Sequence, residues 1–167
     1  SPNSPGHRTF YERLAAAAGI PADRLLFLPQ GRNDAENQAR YRVVDVVLDP
    51  MPFGNVNGTI EPLAMGVPVV TLVGRRHGER TSYSILSNLG VTATIAQSGR
   101  DYVNLAVRLA EDASFAAEVR ETIASGLASS PLVDGAAHTR HLEAAYLAAI
   151  GEVVPQALAD AGQASLR

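Results

Sequence analysis

The residues best placed to do chemistry lie between Asp45 and Gly74, in the run DVVLDPMPFGNVNGTIEPLAMGVPVVTLVG. The run reads as a strand, a glycine- and asparagine-rich loop, a short helix and a second buried strand. Such a loop delivers backbone N–H groups into a helix start, where α/β proteins hold phosphates. Asn55, Val56, Asn57, Gly58 and Thr59 form that loop and helix start. Glu61 lies one helical turn after Asn57, so the two can face one ligand. Its carboxylate then falls about where a ribose hydroxyl needs an acceptor. The pattern suggests a nucleotide diphosphate site. An ordinary strand-to-helix turn uses the same residue types, and a first-turn acid suits the helix dipole without any ligand.

Other polar groups lie nearby. Arg75, Arg76, His77 and Arg80 make the loop after Gly74 basic, which suits a diphosphate or an acidic acceptor. A solvated charge run is the bland reading for Arg75 and Arg76. Asp45 and Asp49 bracket a strand; Asp49, at its carboxyl end, is expected to accept loop N–H bonds and hold the Pro50–Gly54 turn. A phospho-acceptor pocket built on such paired acids needs a lysine. His138 and His141 stand one helical turn apart, but no third ligand is evident, so no metal is expected.

The chain contains no lysine at all: every basic side chain apart from histidine is arginine. Schiff-base chemistry and a P-loop lysine are therefore excluded within these residues. There is no cysteine, which removes disulfides and thiolate metal sites. A net charge of −3 gives no basic surface for nucleic acid or an anionic membrane. No apolar run reaches the ~20 residues of a membrane span, and SPNSPGHR lacks the features of a signal peptide. Cytoplasm is the expected compartment.

The elements that must position the loop can be read from pattern. Residues 1–8 are expected as a loop or chain edge, and a helix over Thr9–Ala18 as capped by Thr9 and stopped by Gly19. LLFLP (Leu25–Pro29) reads as a short apolar strand. A helix from Asp34 to about Arg42 precedes strands over Val43–Asp49 and Pro68–Gly74. A helix over Thr81–Leu89, stopped by Gly90, leads to a strand over Val91–Ala96. Three helices are expected at about 99–112, 114–125 and 135–150, then a tail over 151–167 with Pro155 that frays or adds helix. β-Branched apolar runs separated by helices indicate a parallel sheet with helices on both faces, as in a Rossmann-like α/β domain. That domain is expected over residues 9–150, with its first strand and helix missing.

With these elements in place, the chain resembles the carboxy-terminal half of the O-GlcNAc transferase (SPINDLY-type) glycosyltransferases and their HMW1C-like protein glucosyltransferase relatives. The resemblance runs from Phe10 to Tyr146. It is carried in order by GIPADRLLFLP, DVVLDPMPFGNVNG, MGVPVVTLVG, RTSYSILSNLG, DYVNLAVRLAED, SSPLVD and LEAAY. Each motif alone is weak, but seven in order are specific. The resemblance implies a GT-B architecture, of which this chain is part of the second, UDP-binding domain.

It further implies inverting transfer of GlcNAc or glucose from UDP to a protein side chain, with no metal or other cofactor. The polypeptide acceptor is implied to sit on an upstream domain. Asn55, Val56, Asn57, Gly58 and Thr59 then face the leaving diphosphate, where pre-aimed donors stabilise the charge that develops. Glu61 is implied to take the ribose, and Arg80 to stand near the donor. Asn37 falls roughly where the O-GlcNAc branch places a histidine near UDP, and an asparagine cannot carry that proton. Val56-Asn57-Gly58 replaces the His-Thr-Thr of that branch and matches the GNxNG form of the HMW1C-like branch. No catalytic residue is expected within this piece, and by itself it is expected to be inactive.

Two readings from other classes stand beside this one. The missing histidine also fits a non-catalytic nucleotide-sensing or protein-interaction module. A dinucleotide-binding oxidoreductase lacks its G-x-G-x-x-G after the first visible strand.

Overall fold

The computed structural model describes residues 5–164, with side chains over residues 6–151. Helices and strands alternate from α2 to α5, with further helices on either side: α1 (Pro5–Ala17), α2 (Asp34–Ala39), β1 (Val47–Leu48), α3 (Asn57–Ala64), β2 (Val69–Leu72), α4 (Thr81–Leu89), β3 (Ile95–Ala96), α5 (Gly99–Glu111), α6 (Ala113–Ser129) and α7 (Gly135–Ala164). The chain falls into two compact units, divided between Asp45 and Val46.

The second unit holds the sheet. Its three strands lie in the order β1-β2-β3, all parallel, with Val47 opposite Val69 and Thr71 opposite Ile95. β2 is central, and Val69 and Val70 are both fully buried although they point to opposite sides of the sheet. That is why PVVTLVG is apolar without alternation, as a parallel strand covered on both faces must be. Leu63 of α3, Leu86 and Leu89 of α4, Leu109 of α5, and Phe115, Val119 and Ile123 of α6 complete the core. Each such side chain contributes about 1.5–3 kcal/mol by leaving water.

The ends of the helices follow local chemistry. Gly90 adopts φ 80° after α4, and the Val91 N–H reaches back to the Leu86 carbonyl at 2.9 Å. This left-handed stop suits glycine because it has no Cβ. The Ser98 hydroxyl accepts the Asp101 N–H at 3.1 Å to start α5, and Asp112 accepts the Phe115 N–H at 3.0 Å to start α6.

Several sequence expectations are corrected. Leu25–Pro29 is not a strand: it leaves a 3-10 turn at Ala22–Arg24, and Leu26 is 78% exposed, so the run lacks the burial that its apolar character implied. The strand expected over Val43–Asp49 shrinks to Val47–Leu48, because the chain from Arg40 to Val43 winds into a 3-10 turn. Likewise Val91–Ala96 is a strand only at Ile95–Ala96, after a 3-10 turn at Thr92–Thr94. Thr9 does not cap α1, which begins at Pro5; a proline in the first turn forgoes an N–H that has no helical partner there. Residues 1–4 of the expected loop lie outside the described residues. The helix expected from Asp34 to about Arg42 ends at Ala39, and Asn33 caps it, accepting the Glu36 N–H at 2.9 Å. α7 continues beyond residue 150 to Ala164.

Candidate functional site

The loop from Asp49 to Asn57 is held from inside. The Asp49 carboxylate is buried at the end of β1 and accepts two bonds, from the Thr71 hydroxyl of β2 at 2.7 Å and from the Asn55 N–H at 3.2 Å. The Tyr102 hydroxyl of α5 donates to the Asp49 carbonyl at 3.0 Å. Burial raises the Tyr102 phenol above its ordinary pKa, and the Asp49 charge adds to that. Asp49 thus holds the loop as its position suggested, while Thr71 and Tyr102 join from elements far along the chain.

At the start of α3, the Asn55 side-chain carbonyl accepts the Gly58 N–H at 3.0 Å. The N–H groups of Thr59 and Ile60 both reach the Val56 carbonyl, at 3.1 and 3.0 Å. Those of Val56 and Asn57 have no hydrogen-bond partner among the described residues, and both residues are exposed. An α-helix start leaves such donors over. Here the side-chain cap satisfies one amide further in and leaves the first two open to a ligand, at the positive end of the helix dipole.

Val56, which precedes α3, and Ile60, one turn into it, line a cleft of about 460 Å³ whose other wall is His77, Arg80, Thr81, Tyr83, Ser84 and Ile85. That volume is within the range that holds a small ligand. The Arg80 guanidinium donates to the Gly74 carbonyl at 3.1 Å and lies 4.4 Å from the centre of the Tyr83 ring, which fixes its position beside the cleft. His77 is exposed at the rim, and Arg75 and Arg76 point into solvent.

The residues singled out in the sequence therefore separate. Asn55, Val56 and Gly58 meet at one helix start, and Val56 and Arg80 line one cleft. Asn57 and Glu61 share the adjoining face of α3 by their spacing, with Glu61 half buried. Thr59 turns its side chain inwards and is fully buried. Asn37 belongs to the first unit, where its side-chain oxygen accepts the Gly31 N–H at 2.9 Å and closes the Gln30–Asn33 loop. Among the described residues no group of three His, Cys, Asp or Glu side chains is arranged to hold a metal.

One organising residue went unread in the sequence. The Glu79 carboxylate accepts the N–H groups of Arg75 at 2.9 Å and Arg76 at 3.2 Å, folding the basic loop back upon itself. An acid three residues after Arg76 was the available signal. These two bonds lower the Glu79 pKa from its ordinary 4.5. A depressed acid supports the fold fully above its unfolded pKa, and that support is lost as pH falls through the folded pKa. The Arg75 and Arg76 amide signals should accordingly titrate together with a midpoint below 4.5. A midpoint at or above that value in an NMR pH series would remove Glu79 from this role.

Comparison with known proteins agrees with the fold. Residues 5–142 match the model of glycosyl transferase family 41. A protein of rice (Oryza sativa subsp. japonica), described as a probable UDP-N-acetylglucosamine–peptide N-acetylglucosaminyltransferase SPINDLY, is 35% identical over 78% of the chain. The UDP-N-acetylglucosamine–peptide N-acetylglucosaminyltransferase of Caenorhabditis elegans is 32% identical over 70% of it. The chain spans only 14% and 10% of those two proteins. Among solved structures, a mutant O-GlcNAc transferase of Thermobaculum terrenum superposes with a TM-score of 0.78 and 32% identity, over 86% of this chain and 27% of that one. With an α/β fold, parallel strands and a family match over most of its length, the chain belongs to glycosyl transferase family 41.

Proposed function

We propose that this chain is the donor-binding part of an inverting protein glycosyltransferase, holding the UDP of a UDP-GlcNAc or UDP-glucose donor. The observation that carries this reading is the pair of N–H groups of Val56 and Asn57 at the start of α3, on exposed residues and without a partner among the described residues, beside a cleft that also holds Arg80.

In the reaction, the bond from the sugar C1 to the phosphate oxygen breaks and a bond from C1 to the acceptor forms. The negative charge that develops on the leaving diphosphate is met by the helix-start amides and by Arg80, donors that need no reorganisation at that moment. Glu61 takes the ribose hydroxyls. The acceptor, and the group that receives its proton, belong to an upstream domain. The printed names of the rice and nematode relatives support UDP-GlcNAc as donor and a peptide as acceptor.

UDP should shift the Val56 and Asn57 amide signals, NAD should leave them unchanged, and calorimetry should give UDP a dissociation constant weaker than micromolar. UDP-GlcNAc and a peptide should give no turnover with these residues alone. Sub-micromolar UDP binding or turnover would overturn the reading of this chain as half of a site. Preferential shifts with NAD would overturn the donor itself.

A further inference from the structure

The two walls of the cleft are joined by a buried hydroxyl pair that the proposed chemistry does not use directly. The Thr59 hydroxyl lies 2.6 Å from the Asn55 carbonyl and 2.8 Å from the Ser82 hydroxyl of α4. Thr59 is fully buried and Ser82 is 1% exposed. A carbonyl only accepts, so the single Thr59 proton points to Asn55, and Ser82 must donate to Thr59. The order is fixed: Ser82 to Thr59 to the Asn55 carbonyl.

A threonine bonded to the carbonyl four residues back is common on any helix. Two features make this one more than that. Its second partner comes from another helix, 23 residues along the chain. The carbonyl it holds also belongs to the peptide whose N–H is the open donor of Val56, so fixing that oxygen fixes the direction of the N–H on the opposite side of the same plane. Gly54 completes the junction. Its N–H donates to the Gly78 carbonyl at 3.0 Å, and the Thr81 hydroxyl donates to the same oxygen at 3.0 Å. A Cβ at position 54 would stand 3.2 Å from the Thr81 hydroxyl and 3.3 Å from that of Ser82.

We propose that Thr59 and Ser82 are positioning residues: their hydroxyl pair aims the Val56 N–H and keeps it in register with the Arg80 wall of the cleft. The proposal rests on the donor-site reading above, since it concerns what that N–H is aimed at.

The test uses the 167-residue chain with Thr59→Val, Ser82→Ala, the double variant and Thr59→Ser. Without ligand, the Asn55 carbonyl carbon and Val56 amide signals should move in Thr59→Val and Ser82→Ala and return towards the parent values in Thr59→Ser. UDP affinity should fall on the order of fivefold in each of the first two, the effect of one lost neutral hydrogen bond. The double variant should lose no more than Thr59→Val alone, because Ser82 acts through Thr59. If UDP shifts Val56 and Asn57 in the parent but binds both single variants within twofold, or if the two losses add, the positioning role is overturned while the donor site stands. If UDP leaves the parent signals unmoved, the donor reading fails and the proposal with it.

Discussion

Replacing Asp49 by alanine is expected to lower stability by about 3 kcal/mol, which for a chain of this size is a fall in Tm of about 6–12 °C. The side chain is 6% exposed and accepts from two directions, the Thr71 hydroxyl and the Asn55 N–H. Alanine strands the Thr71 hydroxyl within the sheet, where it is fully buried and has no other partner shown. A hydrogen bond to a charged group is worth about 1.5–3 kcal/mol, and a buried donor without an acceptor adds about 1–3. The Asn55 bond contributes the smaller share, since water can reach that loop. Asparagine should cost less, near 2 kcal/mol, because one oxygen remains to accept while the amide turns N–H against the second donor. Thermal and urea unfolding measure both; a loss below about 1 kcal/mol for alanine would show that the loop is held by something else. UDP binding should weaken along with stability, because the same carboxylate anchors the peptide that precedes the helix start.

The second large effect has a sign opposite to what helix propensity alone gives. Gly126 sits within α6, where Gly→Ala ordinarily stabilises a helix by up to about 1 kcal/mol. A Cβ there would overlap the backbone carbonyl oxygen of Leu89 and come within 3.0 Å of the Leu89 Cγ. The carbonyl belongs to the last residue of α4, whose backbone is held by the Val91 N–H bond to the Leu86 carbonyl just beyond it, so α6 must move away from α4. Overpacking of this kind costs about 1–3 kcal/mol and more where backbone is struck. The clash outweighs the propensity gain, and Gly126→Ala should destabilise by about 2 kcal/mol net. Gly151→Ala in α7 is the control: nothing lies within 4 Å of its Cβ position, and the change should be neutral or mildly stabilising. Equal stabilisation at both positions would mean that the two helices do not meet as closely as described.

What the sequence revealed depended on how local each cause was. α4 was readable to the residue because its end is set by one glycine, and α5 to within a residue because its limits are set by local caps, Ser98 before it and Asp112 after it. Asp49 was readable because the loop it holds follows it directly. Strands were overextended: a strand exists only where a neighbour pairs with it, and the runs at Val43 and Val91 enter 3-10 turns before pairing begins. Leu25–Pro29 has strand composition without strand surroundings. The Thr59–Ser82 contact could not be read, since it depends on how α3 and α4 pack. Nor could the role of Asn37 be read, because polar residues on a short helix look alike until their partners are seen.

The junction at Gly54, Thr59 and Ser82 also bears on how such a chain can drift. A side chain larger than hydrogen at 54 presses on the Thr81 and Ser82 hydroxyls of α4; loss of the Thr59 hydroxyl takes away the acceptor of the Ser82 proton, and loss of the Ser82 hydroxyl takes away the donor to Thr59. These positions are therefore not free to vary one at a time. Lineages that change the loop should change α4 in the same step, so that paired replacements at 59 and 82, rather than single ones, mark where the proposed donor site has been rebuilt.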